Sequence, residues 1–235
     1  MTIKKQMANK TVGPATKGSR KWMQHIVNEH PEVINQLLGV ELEWISPLKE
    51  ENYQEYQLRS LIVVDKIWKT NKLKADFHND FWPSKGRNPE WDGIAMSNDT
   101  LYLFEAKSHK SEVKGSNDVT NVLIKRTLKK TYEICSASNA EMNASAWEKL
   151  YYQYANRLAF LCHFNEHIQR NQLPIKKVVM VFLDFVNDKM GKDAPTDKEE
   201  WMKYYEMIHK ELNVDTKKLE SFGVKHLHID VEKFQ

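Results

Sequence analysis

The stretch Trp91-Asp92-Gly93-Ile94-Ala95-Met96-Ser97-Asn98-Asp99-Thr100-Leu101-Tyr102-Leu103-Phe104-Glu105-Ala106-Lys107 reads as two short apolar strands, 91–96 and 101–106, joined by turn formers at 97–100. A turn centred between Asn98 and Asp99 sets position 97 opposite 100 and Asp92 opposite Glu105. Side chains alternate along a strand, so Asp92, Ile94 and Met96 share a face with Leu101, Leu103, Glu105 and Lys107. Trp91, Ala95, Tyr102, Phe104 and Ala106 form the other face, which is also apolar, so the hairpin is expected inside a covered sheet. Two carboxylates facing each other at a buried strand end are costly unless something compensates them. A divalent cation compensates, and a hard ion such as Mg²⁺ or Mn²⁺ takes oxygen ligands. The plainer alternative is a strand end that reaches solvent, with Glu105 and Lys107 as a weak surface pair.

Outward from the hairpin, 83–89 is rich in turn formers and leads into Trp91; Lys85 and Arg87 in that loop are candidate phosphate contacts or simply solvated. Helical spacing marks 19–38, interrupted at Pro31 and stopped at Gly39, and again 51–69, with Tyr53, Tyr56, Leu61, Val64 and Trp68 on its buried side. Two long helices are expected over 118–136 and 144–171, a covered strand over 178–186, a helix over 198–212 and a half-exposed strand around Leu227, Ile229 and Val231. On that last strand His226 and His228 read as surface histidines. The order helix, strands, helices, strand, helix, strand is α/β with a mixed sheet flanked by helices. The expected division is a mobile basic tail over 1–18, a helical N-terminal extension over 19–50 and a main α/β domain over 51–235.

The chain of 235 residues is long enough to bury a real core, and no apolar run approaches the length that spans a bilayer. The first residues lack a signal-peptide pattern, so a cytoplasmic location and no membrane partner are expected. Cys135 and Cys162 stand alone in helical segments and are expected as buried thiols. The net charge of +3 says little, but its distribution says more. Six basic and no acidic residues fall in 1–21, and Lys107, Lys110, Lys114, Lys125, Arg126, Lys129 and Lys130 outnumber Glu112 and Asp118 after the hairpin. A surface facing phosphates carries this bias.

Trp91-Asp92-Gly93-Ile94 followed by Leu103-Phe104-Glu105-Ala106-Lys107 resembles the Asp and Glu-x-Lys signature of the PD-(D/E)XK nucleases, the restriction-endonuclease-like superfamily. The resemblance covers 51–186, and the proline of the family name is displaced to Pro89. It implies a restriction-endonuclease-like fold and a Mg²⁺- or Mn²⁺-dependent nuclease acting on DNA before RNA; a homodimer is a separate expectation, which the resemblance does not supply. Asp92 and Glu105 are then metal ligands together with the Ala106 carbonyl, and Lys107 orients or activates water. Glu55, or Glu51, is the candidate for an acid from the preceding helix; the alternative is a solvated glutamate at a helix start. The run 152–157 is similar to the Gln-x-x-x-Tyr helix of RecB-like members, with Arg157 at the last position. Gln153 and Arg157 are candidates to grip a phosphate, as is Lys110, or else they form a polar pair on an exposed helix face. Two other functions stay open: a nucleic-acid-binding module of the same fold with an unused site, and a zinc metallopeptidase built on His163-Phe164-Asn165-Glu166-His167, which matches the H-x-x-E-H pattern.

Overall fold

A computed structural model describes residues 13–60, 67–68, 70–85, 88–115, 118–190 and 193–234. Arg87 and the tail before residue 13 lie outside them. The hairpin forms as expected: β4 (Gly93–Ser97) pairs antiparallel with β5 (Thr100–Lys107), with Ser97 opposite Thr100 and Gly93 opposite Phe104. A two-residue loop closes it, and Asn98 supplies the left-handed backbone at φ 52°.

Three further strands complete a mixed sheet. β1 (Glu43–Ser46) pairs antiparallel with β4, β6 (Lys177–Val186) lies parallel beside β5, and β7 (Val224–Asp230) lies parallel beside β6. β6 is buried at every position after Lys177 because helices cover both of its faces and strands flank both sides. One face is covered by α4 (Val122–Cys135) and α5 (Tyr152–Gln169), helped by α6 (Lys198–Leu212) and α7 (Thr216–Phe222). The other face receives α1 (Gly18–Glu29) and α2 (Pro31–Leu38), whose Trp22, Met23, Ile26, Val27 and Ile34 pack on Tyr102, Phe104, Val181 and Phe185. The residues 19–50 thus supply one covering layer and an edge strand of the same sheet. At Gly93 an added Cβ would stand 2.2 Å from the Met23 methyl and 3.2 Å from Trp44, so the absence of a side chain there lets α1 seat close to the hairpin.

Several expectations are corrected. The stretch 51–69 does not begin as a helix. After a 3₁₀ turn (Lys49–Glu51), Asn52 and Tyr53 take left-handed backbone, and β2 (Tyr56–Gln57) pairs with β3 (Glu90–Trp91). Residues 61–66 and 69 lie outside the described residues. The chain bends at Asp92, so the alternation restarts there and Trp91 packs beside Ile94 and Leu103 rather than on the opposite face. The second long helix starts as a π-turn (Ala146–Leu150) that breaks at Tyr151, and α7 was not anticipated. α3 (Asn71–His78) leads into the aromatic stretch, where Phe77, Phe81 and Trp82 are buried.

His226 and His228 are not simple surface histidines. The His226 ring lies 4.1 Å from the Tyr205 ring and 5.3 Å from the Phe182 ring, and the His228 Nδ1 stands 3.2 Å from Asp184. Burial pulls the His226 pKa down to about 3, and those of His78, His163 and His209 down to about 4. Each of these rings is neutral in the folded protein at pH values where the unfolded chain already binds a proton. The unfolded state therefore holds more protons below about pH 6.5, and stability is lost as pH falls toward 4. Each ring contributes up to about 1.4 kcal/mol per pH unit in that window. Asp92 works in the opposite direction, because its raised folded pKa (see below) favours the folded state as pH drops. Asp184, whose carboxyl burial also raises, works in the same direction as Asp92; four histidines against these two acids leave a net loss, so urea midpoints should fall between pH 6.5 and 4.5. A midpoint unchanged over that range would show that these rings are not buried as neutral imidazoles.

Candidate active site

The ladder between β4 and β5 stops at Gly93 opposite Phe104, and the side chain of Asp92 continues it: Asp92 Oδ2 accepts the Ala106 N–H at 2.8 Å. Asp92 therefore sits over the residue between Glu105 and Lys107. Glu105 is 2 % exposed and both its oxygens are engaged. Lys107 Nζ donates to Oε1, while Arg157 donates to Oε2 from Nε at 2.7 Å and stands 2.6 Å away through Nη2. The same guanidinium donates to the Glu90 carbonyl at 2.7 Å and to Asn156 Oδ1 at 3.1 Å, and it lies 4.3 Å over the Trp91 ring. Lys107 and Arg157 are themselves buried.

The electrostatics follow from this pairing. Burial pushes the Glu105 carboxyl up, but the adjacent Arg157 and Lys107 outweigh it and hold the group below the usual carboxylate range. Burial likewise works against the Lys107 ammonium, and Glu105 and Asp92 overcome it, so its pKa is raised. Among the described residues no cation is hydrogen-bonded to Asp92, which accepts the Ala106 N–H instead. Burial, then the Glu105 charge, push its carboxyl up to about 7, with Glu55 adding and Lys107 and the Ala106 N–H opposing. The site is thus two acids of opposite condition beside one lysine, and the half-buried Asp92 is the one left wanting positive charge.

Glu55 comes to this cluster from an extended segment rather than a helix start, and Arg20 of α1 holds it with a two-pronged contact at 2.7 and 2.8 Å. Glu51 accepts the Tyr56 hydroxyl at 2.5 Å instead. Arg157, expected to face a phosphate or an exposed helix surface, turns inward because Glu105 needs it. Gln153 is half-buried one helical turn earlier. Lys85 is exposed beside a hollow of about 590 Å³ that Arg59, Lys74 and His78 also line. Lys110 lies three residues past Lys107 and reaches Glu200 at 3.4 Å.

Sequence reasoning passed over two groups of this cluster. Asp184 lies directly opposite Lys107 in the β5–β6 register, is fully buried, and receives the Tyr205 hydroxyl at 3.0 Å. Its signal was present, since it is the one charge in the apolar run 178–186. Arg20 had none, because nothing within its own helix points to Glu55.

Oxygen donors from Asp92, Glu105 and Glu55 suit a hard divalent cation. The raised Asp92 carboxyl is what such a cation would relieve, whereas both Glu105 oxygens already face Lys107 and Arg157, so a cation would share that carboxylate with them. Among the described residues no group of three or more His, Cys, Asp or Glu side chains converges into a ready-made metal cage. In the His163-x-x-Glu166-His167 segment, His163 Nε2 donates to the Phe77 carbonyl at 2.6 Å and its ring stacks 3.8 Å from Phe81. Glu166 is tied to Lys130 at 2.8 Å and Arg170 at 2.7 Å, so the glutamate that a metallopeptidase would use as base is already committed. In comparisons with protein-family models, with curated proteins and with solved structures, no match to this chain is found.

Proposed function

We propose that this chain is a metal-dependent nuclease of the restriction-endonuclease-like type, hydrolysing phosphodiester bonds in DNA in preference to RNA. One observation carries the reading: a hairpin brings Asp92, Glu105 and Lys107 together in a covered sheet, with the Asp92 carboxyl pushed up to about 7 by burial and by the Glu105 charge. The sheet supports it, since a hairpin ending in Glu-x-Lys and followed by helices and a buried strand is the context on which the resemblance rests. Mg²⁺ or Mn²⁺, when bound, supplies Lewis-acid polarisation of the phosphate and lowers the pKa of an attacking water. Asp92 and Glu105 would hold the ion, with the Ala106 carbonyl as a further donor and Glu55 close by.

The other roles belong to the chain itself. Lys107 stays protonated beside Glu105 and Asp92, and its ammonium neutralises charge that develops on the phosphate. Arg157 fixes the Glu105 carboxylate against the lysine. The basic bias of the tail and of 107–130 supports a polyanionic partner, although Lys125 and Lys130 already face Glu148 and Glu166. The deciding experiment incubates linear duplex, circular duplex and single-stranded DNA, and RNA, with Mg²⁺, Mn²⁺ or EDTA. Cleavage of DNA with either metal and none in EDTA is the expected result. Tight, salt-sensitive binding without cleavage would assign a binding module with an unused site, and neither binding nor cleavage would overturn the reading.

A further inference from the structure

We propose that Arg20 is a phosphate-binding residue of this site, reaching the nucleic acid from α1 across the mouth of the acid cluster; the inference rests on the phosphodiester reading above. The first turn of α1 is pinned on both sides of the site. On the lysine side, the Ser19 hydroxyl donates to Glu112 Oε2 at 2.6 Å. Glu112 Oε1 in turn accepts the N–H groups of Ser108 at 3.2 Å and His109 at 3.1 Å, just past Lys107. On the aspartate side, Arg20 Nε and Nη2 grip Glu55, and the charges of Asp92 and Glu90 also act on the guanidinium. Arg20 therefore lies within electrostatic reach of Asp92, with half of its side chain exposed to solvent.

Exposure separates Arg20 from the other cations here. Its side chain is 49 % exposed, against 7 % for Glu55, whereas Lys107 and Arg157 are buried. A guanidinium carries five N–H donors, and the two bonds to Glu55 leave three for another acceptor. Glu55 thus orients the fork while its outer edge faces solvent, an arrangement suited to a phosphate held by two parallel bonds. The charge count agrees. Around the site Glu55, Glu90, Asp92 and Glu105 meet the cations Arg20, Lys107 and Arg157, and a bound divalent ion tips this balance to an excess of positive charge. A phosphodiester lowers that excess, and Arg20 is the exposed member of the three cations.

The test measures cleavage kinetics in Mg²⁺ and equilibrium binding in Ca²⁺ at several salt concentrations, on a labelled DNA duplex, for the wild type, Arg20→Ala and Arg20→Lys. Arg20→Ala should raise KM and Kd on the order of 10-fold or more with kcat changed far less. The slope of log Kd against log salt should shrink by about 0.9, the effect of one lost phosphate contact. Arg20→Lys should keep the slope but recover only part of the affinity, because an ammonium cannot form the fork. Wild-type Kd and slope in Arg20→Ala, or a lowered melting temperature as its only change, would assign Arg20 to tying down Glu55 and overturn the proposal. If Arg20→Ala does not fold, wild-type Kd in Arg20→Lys would overturn it. A wild-type protein that neither binds nor cuts DNA fails the nuclease reading itself, and this inference falls with it.

Discussion

Replacing Arg157 with alanine is expected to destabilise the fold by about 3–5 kcal/mol, the range for removing one partner of a buried ion pair. The loss has several sources. Glu105 is 2 % exposed and keeps Lys107 as its remaining partner, so one oxygen of a buried carboxylate is left without a donor. The Glu90 carbonyl and Asn156 Oδ1 lose donors as well, and the Trp91 ring loses the cation over its face. Arg157→Lys should recover only part of the loss, because one ammonium cannot serve Glu105, Glu90 and Asn156 in their present directions. Urea unfolding measures the effect. The Arg157→Met, Glu105→Gln double variant should be less destabilised than the sum of the two singles, since it removes both charges together. A loss under about 1 kcal/mol for Arg157→Ala would mean that water reaches Glu105 and that the cluster is not closed.

The second large effect separates Lys107 from the acids. Asp92→Asn should abolish metal-dependent cleavage and weaken Mg²⁺ binding, because it removes the carboxylate that most wants a cation. The apo protein should not suffer at pH 8. Burial and the Glu105 charge raise the Asp92 pKa to about 7, so ionising it above that pH costs stability that asparagine does not incur. The amide oxygen still accepts the Ala106 N–H. Glu105→Gln should lose cleavage too, but at a cost in stability, since Lys107 and Arg157 lose the charge between them. Lys107→Ala is different: the rate should fall about 10²–10⁴-fold, while Mg²⁺ affinity stays near the wild-type value or rises as a competing cation leaves Glu105. Calorimetric titration with Mg²⁺ beside a cleavage assay reads both quantities. Wild-type rates in Lys107→Ala would reduce the hairpin motif to a coincidence.

Part of this architecture is legible in the order of residues alone. The β4–β5 hairpin is local: its loop has two residues, its strands alternate with period two, and Asn98 tolerates the backbone the loop needs. The register of β4 against β5 therefore follows from nearby sequence, as do the covered strand 178–186 and the helices that flank it, whereas Asp92 lies past the last ladder pair, at the bend, and joins the site through the Ala106 N–H. The stretch 51–69 misled for a physical reason. Its aromatic residues recur at helical spacing, but Tyr56 and Gln57 gain strand partners in Trp91 and Glu90, and that distant pairing overrides local propensity. His226 and His228 looked exposed on an alternating strand until α6 brought Tyr205 onto that face.

Sequence by itself determined the acids, the lysine and the hairpin that gathers them, because these depend on short-range alternation and turn chemistry. Which cation neutralises which acid was decided only by the tertiary structure. Arg157 meets Glu105 across 52 positions and Arg20 meets Glu55 across 35. A buried carboxylate takes whichever donor the packed helices bring to it, and no local pattern in the chain encodes that choice.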